Sequence, residues 1–99
     1  MNIPEHFQLM GKTWTVETNP LILAQNEAYG RCEYSNQTIY IHEPENHDGQ
    51  SRAGREHTFC HELVHAIAST ASVELEESAV DVMAGLLHQF FVTSTGSIE

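Results

Sequence analysis

Residues 59–67 read Phe59-Cys60-His61-Glu62-Leu63-Val64-His65-Ala66-Ile67, and the rest of the chain is read outward from them. Phe59, Leu63, Val64 and Ile67 recur at helical spacing, which predicts a helix over 53–70. On a helix, residues four apart share a face and stand about 6 Å apart along the axis. Two imidazoles so placed can converge on one zinc ion, whose bonds to histidine nitrogen are about 2.0–2.1 Å long. Glu62 is turned about 100° from His61 and is placed to act as general base toward a water at such an ion. The apolar neighbours imply that much of this helix is buried, where an unsatisfied imidazole costs about 1–3 kcal/mol. One shared cation would satisfy both rings; a separate hydrogen bond for each is the plainer alternative.

A catalytic zinc usually takes three protein ligands, so a third must come from elsewhere. Thr70-Ala71-Ser72 reads as a short connection, with Ser72 as N-cap of a second helix over 73–92. So short a link implies antiparallel neighbours. The second helix should bury Ala79, Val80, Met83, Leu86, Leu87, Phe90 and Phe91, with Glu74, Glu76 and Glu77 in a first turn that favours negative charge. Counting back from the connection sets His65 opposite Glu76 or Glu77, and His61 opposite about Asp81. Glu77 could then ligate the metal while Asp81 accepts the ring N–H of a ligand histidine, the usual outer support of such a ring. Glu76 and Glu74 stay open as ligands, and the helix dipole alone accounts for acidic residues here.

The N-terminal half reads as strands. Phe7 to Glu17 alternates around Leu9, Trp14 and Val16, with a turn at Gly11-Lys12, and Asn19-Pro20 breaks it. Tyr29 to Tyr34 and Thr38 to Ile41 flank the polar Ser35-Asn36-Gln37, a hairpin pattern. Residues 43–52 are polar and turn-rich and read as a loop, and Thr93 to Glu99 should fray. The 99 residues make one domain: a β-meander over 1–42, a loop over 43–52 and helices over 53–70 and 73–92. The expected class is α+β, a small antiparallel β-meander packed on two antiparallel C-terminal helices.

Four Lys+Arg against fourteen Asp+Glu give a net charge of −10, which argues against nucleic acid as a partner, since phosphate neutralisation needs a basic patch. Acidity serves solubility first, and an acidic face for a basic partner second. Cys32 and Cys60 are too few for a disulfide framework and read as reduced core residues. No apolar run approaches the ~20 residues that span a bilayer, and the first residues lack a secretory signal pattern. The expected location is the cytoplasm, with no membrane partner. Among the other histidines, His57 lies one turn before His61 and could hydrogen-bond substrate or Asp81; it is also the nearest candidate to stabilise an oxyanion. His88 lies too far along the second helix for the metal and reads as structural, and His47 reads as solvent-exposed.

His61-Glu62-Leu63-Val64-His65 followed by Glu77-Ser78-Ala79-Val80-Asp81 resembles the gluzincin clan of zinc metallopeptidases: HExxH, a glutamate ligand on a following helix, and an aspartate four residues later. The layout is most similar to short phage- and prophage-encoded HExxH proteins, with Thr58, His61 to Ala66, Glu77, Val80, Ala84 and Leu87 matching their pattern. A weaker similarity runs to the ImmA/IrrE proteases that cut phage repressors. The resemblance implies Zn²⁺ held by His61, His65 and Glu77, Glu62 as base and Asp81 as outer support. By similarity to the clan, the strand ending at Tyr40 and His42 would flank the cleft and pair with an extended peptide, or Tyr40 would touch the oxyanion; a plain hairpin edge is the alternative. The expectation is a zinc-dependent peptidase acting on a peptide or protein, with a partner protein to complete the cleft. The alternatives are a weak or inactive zinc-binding module whose acidic surface engages a host protein, and an acidic DNA mimic.

Overall fold

Met10 and Gly11 both take positive φ, 50° and 79°, and this two-residue turn folds β1 (His6–Leu9) back on β2 (Lys12–Glu17). Such primed turns match the twist of paired strands. The turn lies one residue earlier than Gly11-Lys12, because Lys12 already pairs with Leu9. The computed structural model describes residues 1–18, 29–42 and 51–94. The expected break at Asn19-Pro20, most of the 43–52 loop with His47, and all but the start of the fraying tail lie outside them.

A second hairpin joins β3 (Gly30–Glu33) to β4 (Thr38–Ile41) through Tyr34–Gln37. The sheet order is β1-β2-β4-β3. β4 lies parallel to β2 and antiparallel to β3. The α+β layout is as expected, but the sheet is mixed rather than an antiparallel meander. The sequence distance from Glu17 to Gly30 is too long for a tight hairpin, and a long crossover is what a parallel pair requires. β4 is therefore an inner strand, and all four of its residues are buried. Its apolar, β-branched and aromatic composition suits a strand covered on both sides.

Two helices pack on this sheet: α1 (Arg52–Ala71) and α2 (Glu77–Thr93). The Ser51 side chain caps α1 by accepting from the Gly54 amide at 3.0 Å, satisfying one of the free N–H groups of the first turn. Arg55 Nε donates to the His42 carbonyl at 2.8 Å and ties the start of α1 to the end of β4. Ser72 does not cap the second helix. It ends the first in a left-handed conformation (φ 57°, ψ 40°), its N–H reaching the Ala68 and Ser69 carbonyls. Val73 N also bonds Ala68 O, the arrangement by which helices close with a left-handed residue. The chain then runs extended to Glu76, so α2 starts four residues later than 73 and only Glu77 lies in its first turn.

The core joins Trp14, Ile39 and Ile41 of the sheet to Phe59, Cys60 and Val64 of α1 and to Val80 and Ala84 of α2. Phe7 and Trp14 are cross-strand partners with stacked rings 6.3 Å apart, and Phe59 meets Phe7 edge-on at 6.2 Å. Of the residues expected to be buried on α2, only Val80 is fully so; Ala79 and Leu87 are partly buried, while Met83, Leu86, Phe90 and Phe91 are exposed. Among the described elements α2 packs chiefly on α1, which covers only one side of an apolar helix.

Candidate metal centre

The extended link after Ser72 brings α2 back beside α1, so that the turn bearing Glu77 and Asp81 faces the turn bearing His61 and His65. The two rings meet edge-on with centroids 5.0 Å apart. His61 Nε2 lies 2.7 Å from Glu77 Oε1, and His65 Nε2 lies 3.4 Å from Glu77 Oε2. His61 Nδ1 lies 2.9 Å from Asp81 Oδ1. Each of His61, His65 and Glu77 offers a ligand atom within 4.8 Å of the other two. Both histidines are partly buried, whereas Glu77 and Asp81 are exposed, so the cluster opens to solvent along α2.

These residues fit a zinc ion. The donor set of two imidazole nitrogens and one carboxylate is one that zinc accepts, and donors around a tetrahedral zinc stand about 3.3 Å apart. The ring of His61 supplies a second reason. A neutral imidazole carries one N–H, yet both His61 nitrogens face carboxylate oxygens. With Nδ1–H donated to Asp81, the Nε2 lone pair points at Glu77, and that contact is favourable only with a proton or a cation between them. Glu76, the alternative ligand, is the residue before the helix; Glu74 lies in the extended link.

Glu62 is buried on the side of α1 that faces β3. A Cβ placed on Gly30 would stand 3.3 Å from Glu62 Cγ and 3.2 Å from the Tyr40 carbonyl, and would collide with the Thr58 methyl. Glycine at 30 thus lets β3 lie directly on this part of α1. Burial pushes the Glu62 carboxyl above its ordinary range, His61 and His65 draw it back down, and Glu77 adds to the rise. A carboxylate moved toward neutrality is better matched to general-base work.

The remaining expected residues are placed differently. His57 packs edge-on against His88 at 6.2 Å, with its Nε2 close to Gly85; Asp81 pairs with His61. His88 Nε2 lies 2.9 Å from buried Glu56 Oε1 and joins the helices, a structural position as expected. Tyr40 is buried, and its hydroxyl accepts from the Asn36 amide at 3.4 Å across the hairpin. Because β4 is an inner strand, the strand of Tyr40 and His42 cannot offer an edge; among the described residues β3 does. Residues of β3 and its turn are the ones that sequence reasoning missed. Burial first, then Glu62 and Glu33, push the Cys32 thiol up to about 12. Burial, with Cys32, Glu62 and Glu77 nearby, raises the Tyr34 phenol. No local pattern marks Cys32 or Tyr34, since their nearness to Glu62 follows from strand order.

Compared with protein-family models, with curated proteins and with solved structures, the chain matches none. No helix among the described residues is long and apolar enough to cross a membrane. Cys32 and Cys60 are free thiols.

Proposed function

We propose that the protein is a zinc-dependent peptidase of gluzincin type, acting in the cytoplasm on a peptide or protein. The observation that carries this reading is the convergence of His61, His65 and Glu77, with Asp81 on the second ring nitrogen of His61. His61, His65 and Glu77 would hold the metal, and Asp81 would fix the His61 tautomer that turns Nε2 toward it. When bound, zinc lowers the pKa of water toward about 7 and polarises a carbonyl. Glu62, adjacent to both histidines and held under β3, takes the proton from the attacking water and passes it to the leaving amine. The free edge of β3 offers backbone N–H and C=O groups to an extended substrate, the general mode of strand addition. Tyr34, at the end of that edge and near Glu62 and Glu77, is a better placed phenol than Tyr40 for contact with the substrate.

The test is cleavage of a mixed peptide library by zinc-loaded wild type and Glu62→Gln, with zinc content measured on both. We expect Glu62→Gln to retain zinc and to lose about 10²–10⁴-fold in rate. Equal rates would remove Glu62 from the chemistry; wild-type protein that binds no zinc would remove the reading altogether.

A further inference from the structure

The two sides of α2 differ. Glu77 and Asp81 occupy the side that meets the histidines. At 100° per residue, Ala79, Met83, Leu86 and Phe90 fall in a stripe on the other side, at successive intervals of four, three and four. That is the rhythm of a helix that packs against a second helix. The stripe is bare: Met83 is 46%, Leu86 62% and Phe90 60% exposed, and Val82 at 63% widens it. It runs into an apolar cavity of about 320 Å³ between the helices, lined by Val64, Ile67, Leu75, Met83 and Leu87. Ile67 and Val73, at the cavity, are also exposed.

We propose that two copies of this chain pair through α2, antiparallel about a two-fold axis. Charge selects the surface: from Val82 to Val92 the sequence has no charged residue in a chain of net charge −10. Two such copies meeting there bring few carboxylates together. Charge also selects the direction, because a parallel pair would set Glu74, Glu76 and Glu77 of both copies side by side. Shape agrees with the antiparallel choice. An axis passing between Met83 and Leu86 sets Phe90 of one copy on Ala79 of its partner, large against small, and Met83 against Leu86. The bare side chains of the stripe and cavity rim amount to on the order of 600 Å² per copy, against the ~800 Å² per partner of a standard stable interface. The contact is isologous, as a two-fold pair requires. It leaves Glu77 and Asp81 facing away, so the metal centre of each copy stays open.

Sedimentation equilibrium of the full chain at micromolar concentration tests this. We expect twice the 11.1 kDa chain mass, reduced to the single-chain mass by Leu86→Glu and by Phe90→Glu. Both replaced side chains are exposed, so helical circular dichroism should persist in the variants. A wild type that sediments as a single chain overturns the proposal and leaves the stripe to another partner. So does a pair that withstands both substitutions. Pairing does not depend on the metal: His65→Ala should pair as wild type does, so failure here and failure of the peptidase reading are separately visible.

Discussion

Two histidine–carboxylate clusters join α1 to α2, and they are built in opposite senses. In one, the carboxylate belongs to α1: Glu56, its side chain only 8% exposed, receives His88 of α2, the Met1 amine and Arg52 Nε at 2.9, 3.5 and 3.4 Å. In the other, α1 gives the histidines and α2 gives carboxylates that are more than 60% exposed, Glu77 and Asp81. The first surrounds one buried carboxylate with an amine, a guanidinium and a histidine N–H and so is complete without any ligand. The second turns two imidazoles and a carboxylate toward a common point, and its His61 ring is satisfied only when a proton or cation joins it. Burial and charge balance separate a latch from a candidate binding site, although the residue types are the same.

The largest effect that would break this contrast is on stability. Glu56→Ala leaves the Met1 amine without its counter-charge and His88 without its hydrogen-bond partner. Breaking a buried pair costs about 3–5 kcal/mol, and the partly exposed histidine brings the expected loss down to about 2–3 kcal/mol in denaturant unfolding. His65→Ala should instead change metal-free stability little and remove zinc binding. The Glu56 cluster also carries a pH signature. The His88 hydrogen bond holds the Glu56 carboxyl below its ordinary 4.5, with the Met1 amine adding to the effect. A depressed folded pKa means that the stabilisation is full above about 4.5 and is lost as pH falls through the folded value. Glu56→Gln should flatten the acid limb of the stability curve. An unchanged limb would show that other carboxylates carry it.

The same contrast sorts what the sequence reveals from what it hides. His61, Glu62 and His65 are legible because their geometry is local, set by one helix and its spacing. Glu77 and Asp81 required only a count back along a neighbouring helix. His61 faces Asp81 and His65 faces Glu77, although Ser72 closes α1 instead of opening α2 and an extended link precedes Glu77. The Glu56–His88 latch was hidden, since 32 residues separate its members and nothing local marks a glutamate for burial. The sheet was legible as strands but not as an order, because pairing β4 with β2 depends on a long connection rather than on alternation. That order decides that β3, not the strand of Tyr40, lies over Glu62.

Gly30 sharpens the comparison from the sheet side. A methyl group there collides with the Thr58 methyl and stands tight against the Tyr40 carbonyl and Glu62 Cγ, so β3 or the Thr58 side chain must shift and Glu62 must give by a few tenths of an ångström. We expect Gly30→Ala to cost about 1–3 kcal/mol, the usual range for overpacking. On the proposed reading it should lower the rate of peptide cleavage while leaving zinc affinity near wild type, because His61, His65 and Glu77 lie off this contact. Thermal unfolding and zinc titration of the same preparation separate the two. Loss of zinc affinity equal to the loss of rate would mean that β3 supports the histidines and not Glu62.

Asp81→Asn is the smallest change and the most specific to the open cluster. Asparagine keeps an oxygen that accepts the His61 Nδ1–H, so the tautomer with Nε2 free for metal survives, but the negative charge that makes the ring a stronger donor is gone. Outer partners of ligand histidines are worth about 10–100-fold in metal affinity; with the hydrogen bond retained, the low end, about 10-fold, is expected in a chelator competition. Asp81→Ala, which removes the acceptor too, should fall further. Because Asp81 is exposed, metal-free stability should stay within about 0.5 kcal/mol of wild type for both. If both variants bind zinc as tightly as wild type while Glu77→Gln does not, the 2.9 Å contact between Asp81 and His61 is only a surface pair, and the open cluster holds its metal through three ligands without outer support.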